Sequence, residues 1–118
     1  MVVATEDSIL QTTKKNLGID ASYDVFDLDV ITHINTAIAT LVDLGVASAE
    51  GFEVTSEDDL WADLLDDDPR SNRIKSYIYL HVRRAFDPPG TGFLSTSMDN
   101  QIQELTTRIS WQREEGVT

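Results

Sequence analysis

The chain has 118 residues and a mass of 13.2 kDa, which fits one domain with one hydrophobic core. It contains no cysteine, and this excludes a disulfide framework, a thiolate zinc site and a thiol nucleophile. Its 21 acidic residues outnumber 9 basic ones, so the formal net charge is -12. This excess argues against a free-standing DNA-binding protein, because affinity for DNA depends on cations that replace phosphate counterions.

Two helices are predicted in the first half of the chain from the spacing of apolar residues. The first covers residues 8–17, with Asp7 or Ser8 as its cap and Gly18 as its left-handed end. The second covers residues 26–44. Its apolar residues repeat at spacings of three and four: Ile31, Ile34, Ile38, Leu41 and Val42.

The middle of the chain is less regular. Residues 47–55 lose the helical period, and the alternation at 52–54 predicts a short extended segment. A third helix is predicted over residues 57–65, because three acidic residues at its start suit the positive end of a helix dipole. Its apolar face consists of Leu60, Trp61, Leu64 and Leu65.

Two further helices are predicted in the second half. Asp68 is a good cap and Pro69 suits a first helical position, so a fourth helix should run from there to Phe86. Two prolines and two glycines predict a loop over residues 87–92. A final helix follows over about 94–113, before a polar tail. The predicted fold is all-α: one small single-domain bundle of four or five helices over residues 1–118.

The apolar stripes of the second and fourth helices should share one core, because packing them together buries both most readily. The predicted core residues are Ile31, Ile34, Ile38, Leu41, Ile74, Ile78 and Val82.

Residues with catalytic or metal-binding chemistry are scarce. The only histidines are His33 in the second helix and His81 on the stripe of the fourth. Both are interpreted as core-edge or surface residues and not as ligands, so we assign no catalytic residue, cofactor or metal. One acidic cluster, Asp63 with residues 66–68, could hold a hard cation, but it lacks the glycine turn and terminal glutamate of a calcium loop. A solvated, helix-capping acidic turn is the favoured interpretation, and a metal-dependent hydrolase is a distant alternative.

The two signs of charge are separated along the chain. Residues 50–68 contain nine acidic and no basic residues, and a basic segment follows. In a head-to-tail ring, the acidic edge of one copy could meet the basic edge of the next. Pairing within one chain, or simple solvation of both segments, explains the pattern equally well. The subunit-interface candidates are Asp66, Asp67, Asp68, Arg70, Arg73, Arg83 and Arg84.

Several segments together resemble the head-to-tail connector proteins of long-tailed bacteriophages and prophages. The most specific feature is an order of short motifs: Trp61, Asp68-Pro69-Arg70, Lys75-Ser76-Tyr77, Phe86-Asp87-Pro88-Pro89, and then a helix with Gln101-Ile102 and Glu104-Leu105. The resemblance spans nearly the whole chain.

This resemblance implies a structural, non-enzymatic protein of the virion neck. Since no apolar run approaches the roughly 18 residues of a membrane span, we also expect a protein made in the cytoplasm of the bacterial host and without a membrane partner. About twelve copies would form a ring under the portal, join the DNA-filled head to the tail and extend the DNA channel. The partners would be other copies, the portal and the next neck or tail-completion protein. In such relatives the C-terminal region contacts the portal, which makes Arg108, Trp111 and Arg113 the docking candidates.

The main alternative is an acidic DNA mimic that inhibits a DNA-binding enzyme such as a restriction system. The basic residues between positions 70 and 84 would interrupt its acidic surface. For the connector, reversing Arg70 and Arg73 to glutamate is expected to weaken the ring and leave the monomer folded.

Overall fold

The computed structural model describes residues 7–65, 70–86 and 92–117, with the backbone alone at 47, 92–95 and 111–117. The described ranges form five α-helices: α1 Ile9–Asn16, α2 Asp27–Asp43, α3 Trp61–Leu65, α4 Ser71–Phe86 and α5 Gly92–Val117. A short 3-10 helix, Ala47–Ala49, follows α2. Within those ranges the only β-type pairing is an isolated bridge between Ser8 and Leu60, so the all-α prediction is confirmed.

The helix α4 lies at the centre of the fold. It packs against α2 on one flank and against α5 on another, while α1 contacts both α2 and α4. The molecule measures 45 × 42 × 19 Å. Its thickness fits about two layers of helices, since packed helices lie about 8–10 Å apart.

The predicted core is confirmed. Six of its seven residues are at most 2 % exposed: Ile34, Ile38, Leu41, Ile74, Ile78 and Val82. Ile31 is half-buried and packs at the edge of the same cluster. The other helices complete this core with Ile9, Leu64 and Ile109, each of which is fully buried. One continuous core therefore joins all five helices.

The ends of α1 follow the predicted chemistry. The side chain of Ser8 accepts a hydrogen bond from the backbone N–H of Gln11 at 3.2 Å, and Gly18 follows the helix with a φ of 80°. A positive φ favours glycine because any other side chain would be strained there.

The start of α3 differs from the prediction. This helix begins at Trp61 and not at residue 57. The Asp59 carboxylate accepts hydrogen bonds from the backbone N–H groups of Thr55 and Ser56, at 2.7 and 3.1 Å. The Asp59 carbonyl also accepts from the N–H of Ile9 at 3.1 Å. Acidic residues that suit a helix start here form a capping turn, because side-chain hydrogen bonds compete with helical ones.

The last two helices also shift. The predicted cap at Asp68 and Pro69 lies outside the described residues, and the described α4 begins at Ser71. The helix α5 begins at Gly92, which was predicted to lie in the loop, and it continues to Val117. The predicted end of the last helix near residue 113, with a tail after it, was therefore wrong.

The segment after the 3-10 helix is held by one side chain and joins no sheet. Asn35 on α2 donates from Nδ2 to the carbonyl of Val54 at 3.0 Å and accepts from the Val54 N–H at 2.8 Å. Val54 itself is 1 % exposed. A buried backbone needs both of its polar groups paired, and the Asn35 amide pairs both as a neighbouring strand would.

Replacing Asn35 with alanine should lower the free energy of unfolding by about 1–3 kcal/mol, because both polar groups of Val54 lose their partner in a buried site. Urea unfolding followed by circular dichroism measures this loss. The matched control is Asn72→Ala, since Asn72 is exposed on α4 and its replacement should change stability by less than about 0.5 kcal/mol. Equal effects of the two changes would contradict the structural role of Asn35.

Candidate functional site

The structure places the basic interface candidate Arg70 inside the subunit. Arg70 is 7 % exposed, and its Nη1 donates a hydrogen bond to the carbonyl of Ile109 in the middle of α5, at 3.1 Å. This contact ties the start of α4 to α5. The expectation that Arg70 could be reversed without harm to the monomer does not agree with its burial. The acidic candidates Asp66, Asp67 and Asp68 lie outside the described residues.

The other cations of α4 also have neighbours within the chain. Arg83 donates from Nη1 to the Tyr79 hydroxyl at 3.2 Å, and Arg84 Nε lies 2.8 Å from a carboxylate oxygen of Asp99 on α5. Arg73 is half-buried and interacts within the chain. The Arg84 pair is 40 % and 53 % exposed, so it contributes at most about 1 kcal/mol to stability. These contacts lie within the subunit, and an interface role for the basic segment remains a proposal.

The aromatic ring of Trp61 lies beside this basic helix. Lys75 Nζ is 5.6 Å from the Trp61 ring centroid, within the range of a cation–π interaction. Both residues line a pocket of about 160 Å³ between α1 and α4, together with Tyr79 and Asn16. The Tyr79 hydroxyl donates to the Asn16 carbonyl at 3.2 Å. Trp61 and Lys75, which are separate motifs in the sequence, are thus neighbours in the structure.

A buried lysine was not predicted. Lys14 on α1 is 1 % exposed, and its Nζ lies 2.8 Å from a carboxylate oxygen of Asp27 and donates to the Ala21 carbonyl at 3.1 Å. It thereby fixes the connection between α1 and α2. The available signal was its position: Lys14 follows Leu10 by four residues and so falls on the buried face of α1.

The connection that Lys14 holds carries exposed apolar side chains. Val25 is 66 % exposed and Leu28 is 75 % exposed. The Phe26 ring contacts two other aromatic rings, tilted against Tyr23 at a centroid distance of 5.7 Å and edge-on to Phe86 at 5.4 Å. Within the described residues, the exposed large hydrophobic side chains all lie in this corner, which covers residues 23–28.

The portal-docking candidates lie on α5. Arg108 is exposed and pairs with Glu104 one turn earlier, at 2.9 Å. It lines a groove of about 310 Å³ between α4 and α5, whose apolar walls include Leu80 and Leu105. Trp111 and Arg113 also lie on α5, where the structure describes only their backbone.

The two histidines lie between α2 and α4. His81 is half-buried, and its ring lies 5.8 Å from that of Tyr77. Burial lowers the pKa of His81, and the nearby His33 lowers it further. Burial also raises the pKa of Tyr77, against the effect of a hydrogen bond with Thr40. In the described ranges, no three His, Asp or Glu side chains come together where they could hold a metal ion.

The His81 site predicts a pH dependence of stability. Its folded pKa is below the unfolded value of 6.5, so the unfolded chain takes up the proton first as the pH falls. Neutral His81 contributes fully to the free energy of unfolding above pH 6.5. This contribution is lost as the pH falls toward the folded pKa. The stability advantage of the wild type over His81→Gln should therefore shrink between about pH 7.5 and about pH 5.5 in urea unfolding. A constant difference between the two proteins would contradict this assignment.

Comparison with known proteins supports one family. The sequence profile of the phage connector protein family matches residues 9–116. No curated protein and no solved structure matches the chain at a significant level. Where the structure is described, no helix combines the length and apolar character needed to cross a membrane. The family match runs from the start of α1 almost to the end of α5, and on this basis the chain belongs to the phage connector protein family.

Proposed function

We propose that this connector subunit assembles into a ring under the portal of a tailed phage and joins the DNA-filled head to the tail. The observation that carries the proposal is the family match over residues 9–116, which makes the chain a structural phage connector. The ring, its copy number and its contacts with portal and tail go beyond that match. A ring of about twelve copies would match the portal.

The charge of the chain supports a passage for DNA. With a net charge of -12, a ring of these subunits repels DNA and leaves it free to move through the channel. The described residues 16–65 contain no lysine or arginine, so the formal charges of this segment all come from Asp and Glu. A DNA-mimic inhibitor would use the same charge, but its acidic surface would be interrupted by α4, whose charged side chains are all basic.

The long helix α5 is the proposed portal-docking element. Its described part packs on α4 through Ile102, Leu105 and Ile109, which leaves the exposed Arg108 beside an apolar groove. Arg108 with Trp111 and Arg113 would then contact the portal, because Trp and Arg are enriched in the energetic centres of interfaces. This proposal extends the family assignment and rests on sequence position for the last two residues.

The experiment is to interrupt the gene in the phage or prophage that encodes the chain and to image the particles. We expect DNA-filled heads and free tails that do not join, and supply of the protein from a plasmid should restore tailed particles. Mass measurement of isolated necks then gives the copy number. Normal tailed particles without the protein would overturn the proposal.

A further inference from the structure

The face of α2 turned away from the core has no charge over its central turns. Residues 30–42 contain no Asp, Glu, Lys or Arg, although 25 % of the whole chain is charged. Opposite the buried residues of the helix lie Leu28, Thr32, Thr36 and Ala39, all of them exposed. We call these four residues the α2 stripe. An exposed helix surface usually carries Glu, Lys or Arg, which are strong helix formers and well hydrated.

The threonines of the α2 stripe direct their hydroxyls to their own helix. Thr32 donates to the Leu28 carbonyl at 2.9 Å, and Thr36 donates to the Thr32 carbonyl at 3.0 Å. With the hydroxyl on the backbone, the methyl group of each threonine remains for contact with another surface. Threonine is also a weaker helix former than Glu, Lys or Arg, so helix propensity does not explain the stripe.

A second uncharged stripe lies on α5. The side chains that face the core are Met98, Ile102, Leu105 and Ile109, at spacings of four, three and four. The opposite face has the same spacing and consists of Thr96, Asn100, Gln103 and Thr107, all exposed. We call these residues the α5 stripe. The charged residues Glu104 and Arg108 lie to one side of it, beside the groove with α4. Asp99 lies on its other side, where it pairs with Arg84.

The positions of the two stripes favour contact between copies. The helices α2 and α5 pack on different flanks of α4, so both stripes face away from the core that they share. No second helix of the same chain covers either stripe in the described ranges. A ring needs two different surfaces on each subunit, one for each neighbour, and the stripes provide such a pair.

The chemistry of the stripes is also complementary. The central part of a protein interface is typically depleted in charged residues. Each threonine hydroxyl that donates to its own helix keeps lone pairs, and these can accept from the amide groups of Asn100 and Gln103. Both stripes follow the ridges of a helix, so they can interdigitate as packed helices do.

We propose that the α2 stripe of one subunit packs against the α5 stripe of the next copy, and that this contact closes the ring. The inference rests on the proposed function, which supplies the ring, and it identifies the two surfaces. The apolar side chain of Leu28, at 75 % exposure, marks the start of the contact on α2. Because the contact is uncharged, the ring should resist salt, unlike one held by acidic and basic edges.

Cysteine cross-linking tests the contact, since the native chain contains no cysteine. A chain with both Thr36→Cys and Gln103→Cys should form a ladder of covalent oligomers in isolated necks treated with a short thiol-specific cross-linker. Each single-cysteine chain should stay monomeric in denaturing gels. The control chain carries Thr36→Cys and Ala62→Cys, because Ala62 is exposed on α3, and it should form no ladder.

A pair of charged variants tests the same surfaces without a reagent. Ala39 and Ala62 are both exposed on helices, so Ala39→Glu and Ala62→Glu should each leave the chain folded. We expect loss of the ring in Ala39→Glu alone. Survival of the ring in Ala39→Glu would overturn the assigned surfaces. They would also be overturned if mass measurement shows the ring in isolated necks but the double-cysteine chain gives no ladder. Absence of any oligomer in intact necks would instead overturn the proposed function.

Discussion

Changing Arg70 to glutamate should remove a large part of the free energy of unfolding of the protein. The Arg70 side chain is 7 % exposed and donates to the Ile109 carbonyl, so the variant would place a carboxylate next to a carbonyl oxygen in the interior. Leaving a buried charge without its partner costs on the order of 3–5 kcal/mol. A domain of this kind has a total stability of about 5–15 kcal/mol, so the loss is a large part of the whole.

The matched variant is Arg73→Glu, one turn further along α4. Arg73 is half-buried, so water can solvate the new charge and the loss should be clearly smaller than at Arg70. Urea unfolding of the two single variants measures the difference. If both variants unfold at the same urea concentration as the wild type, the contact between Arg70 and α5 does not stabilise the protein in solution. This comparison separates folding from assembly, which a double reversal of Arg70 and Arg73 would combine.

The second large effect is expected in the core between α2 and α4. Ile34 and Ile78 are both 0 % exposed, and replacing either one with alanine removes buried methyl groups and leaves a cavity. Such changes cost about 2–5 kcal/mol, depending on how far the neighbours relax. Thermal and urea unfolding should both report the loss.

The half-buried Ile31 provides the control for this prediction. Ile31 lies on the same helix at the edge of the core, where water already reaches part of the side chain. Ile31→Ala should therefore cost less than Ile34→Ala, because less area is buried and any cavity opens to solvent. A loss below about 0.5 kcal/mol at Ile34 would show that the predicted stripe does not form the core.

Local sequence patterns predicted the helices well where one face is strongly apolar. The spacing of Ile34, Ile38 and Leu41 indicated α2 and its buried face, and Ser8 indicated the cap of α1. Both signals act over one or two turns, so no knowledge of distant residues is needed. The family followed from the order of motifs along the chain, which is also a property of sequence.

Charge was harder to interpret, because its use depends on what lies across the fold. Separated acidic and basic segments predicted interface residues, but Arg70 contacts a carbonyl 39 residues away and Arg84 contacts Asp99 on the next helix. Lys14 is a charged residue on an apolar face, and only Asp27 and the Ala21 carbonyl make its burial possible. The nature of each contact is set by tertiary packing, which brings distant groups within hydrogen-bond distance.

By itself, the sequence determined the helical class, the core of α2 and α4, the absence of thiol chemistry and the connector family. Each of these follows from residue type and spacing along the chain. Only the tertiary structure decided that α3 starts at Trp61, that Asn35 holds Val54 and that the stripes of α2 and α5 face away from a shared core. These features depend on which segments of the chain pack together. The spacing of apolar residues shows which face of a helix is buried, but not which segment packs against that face.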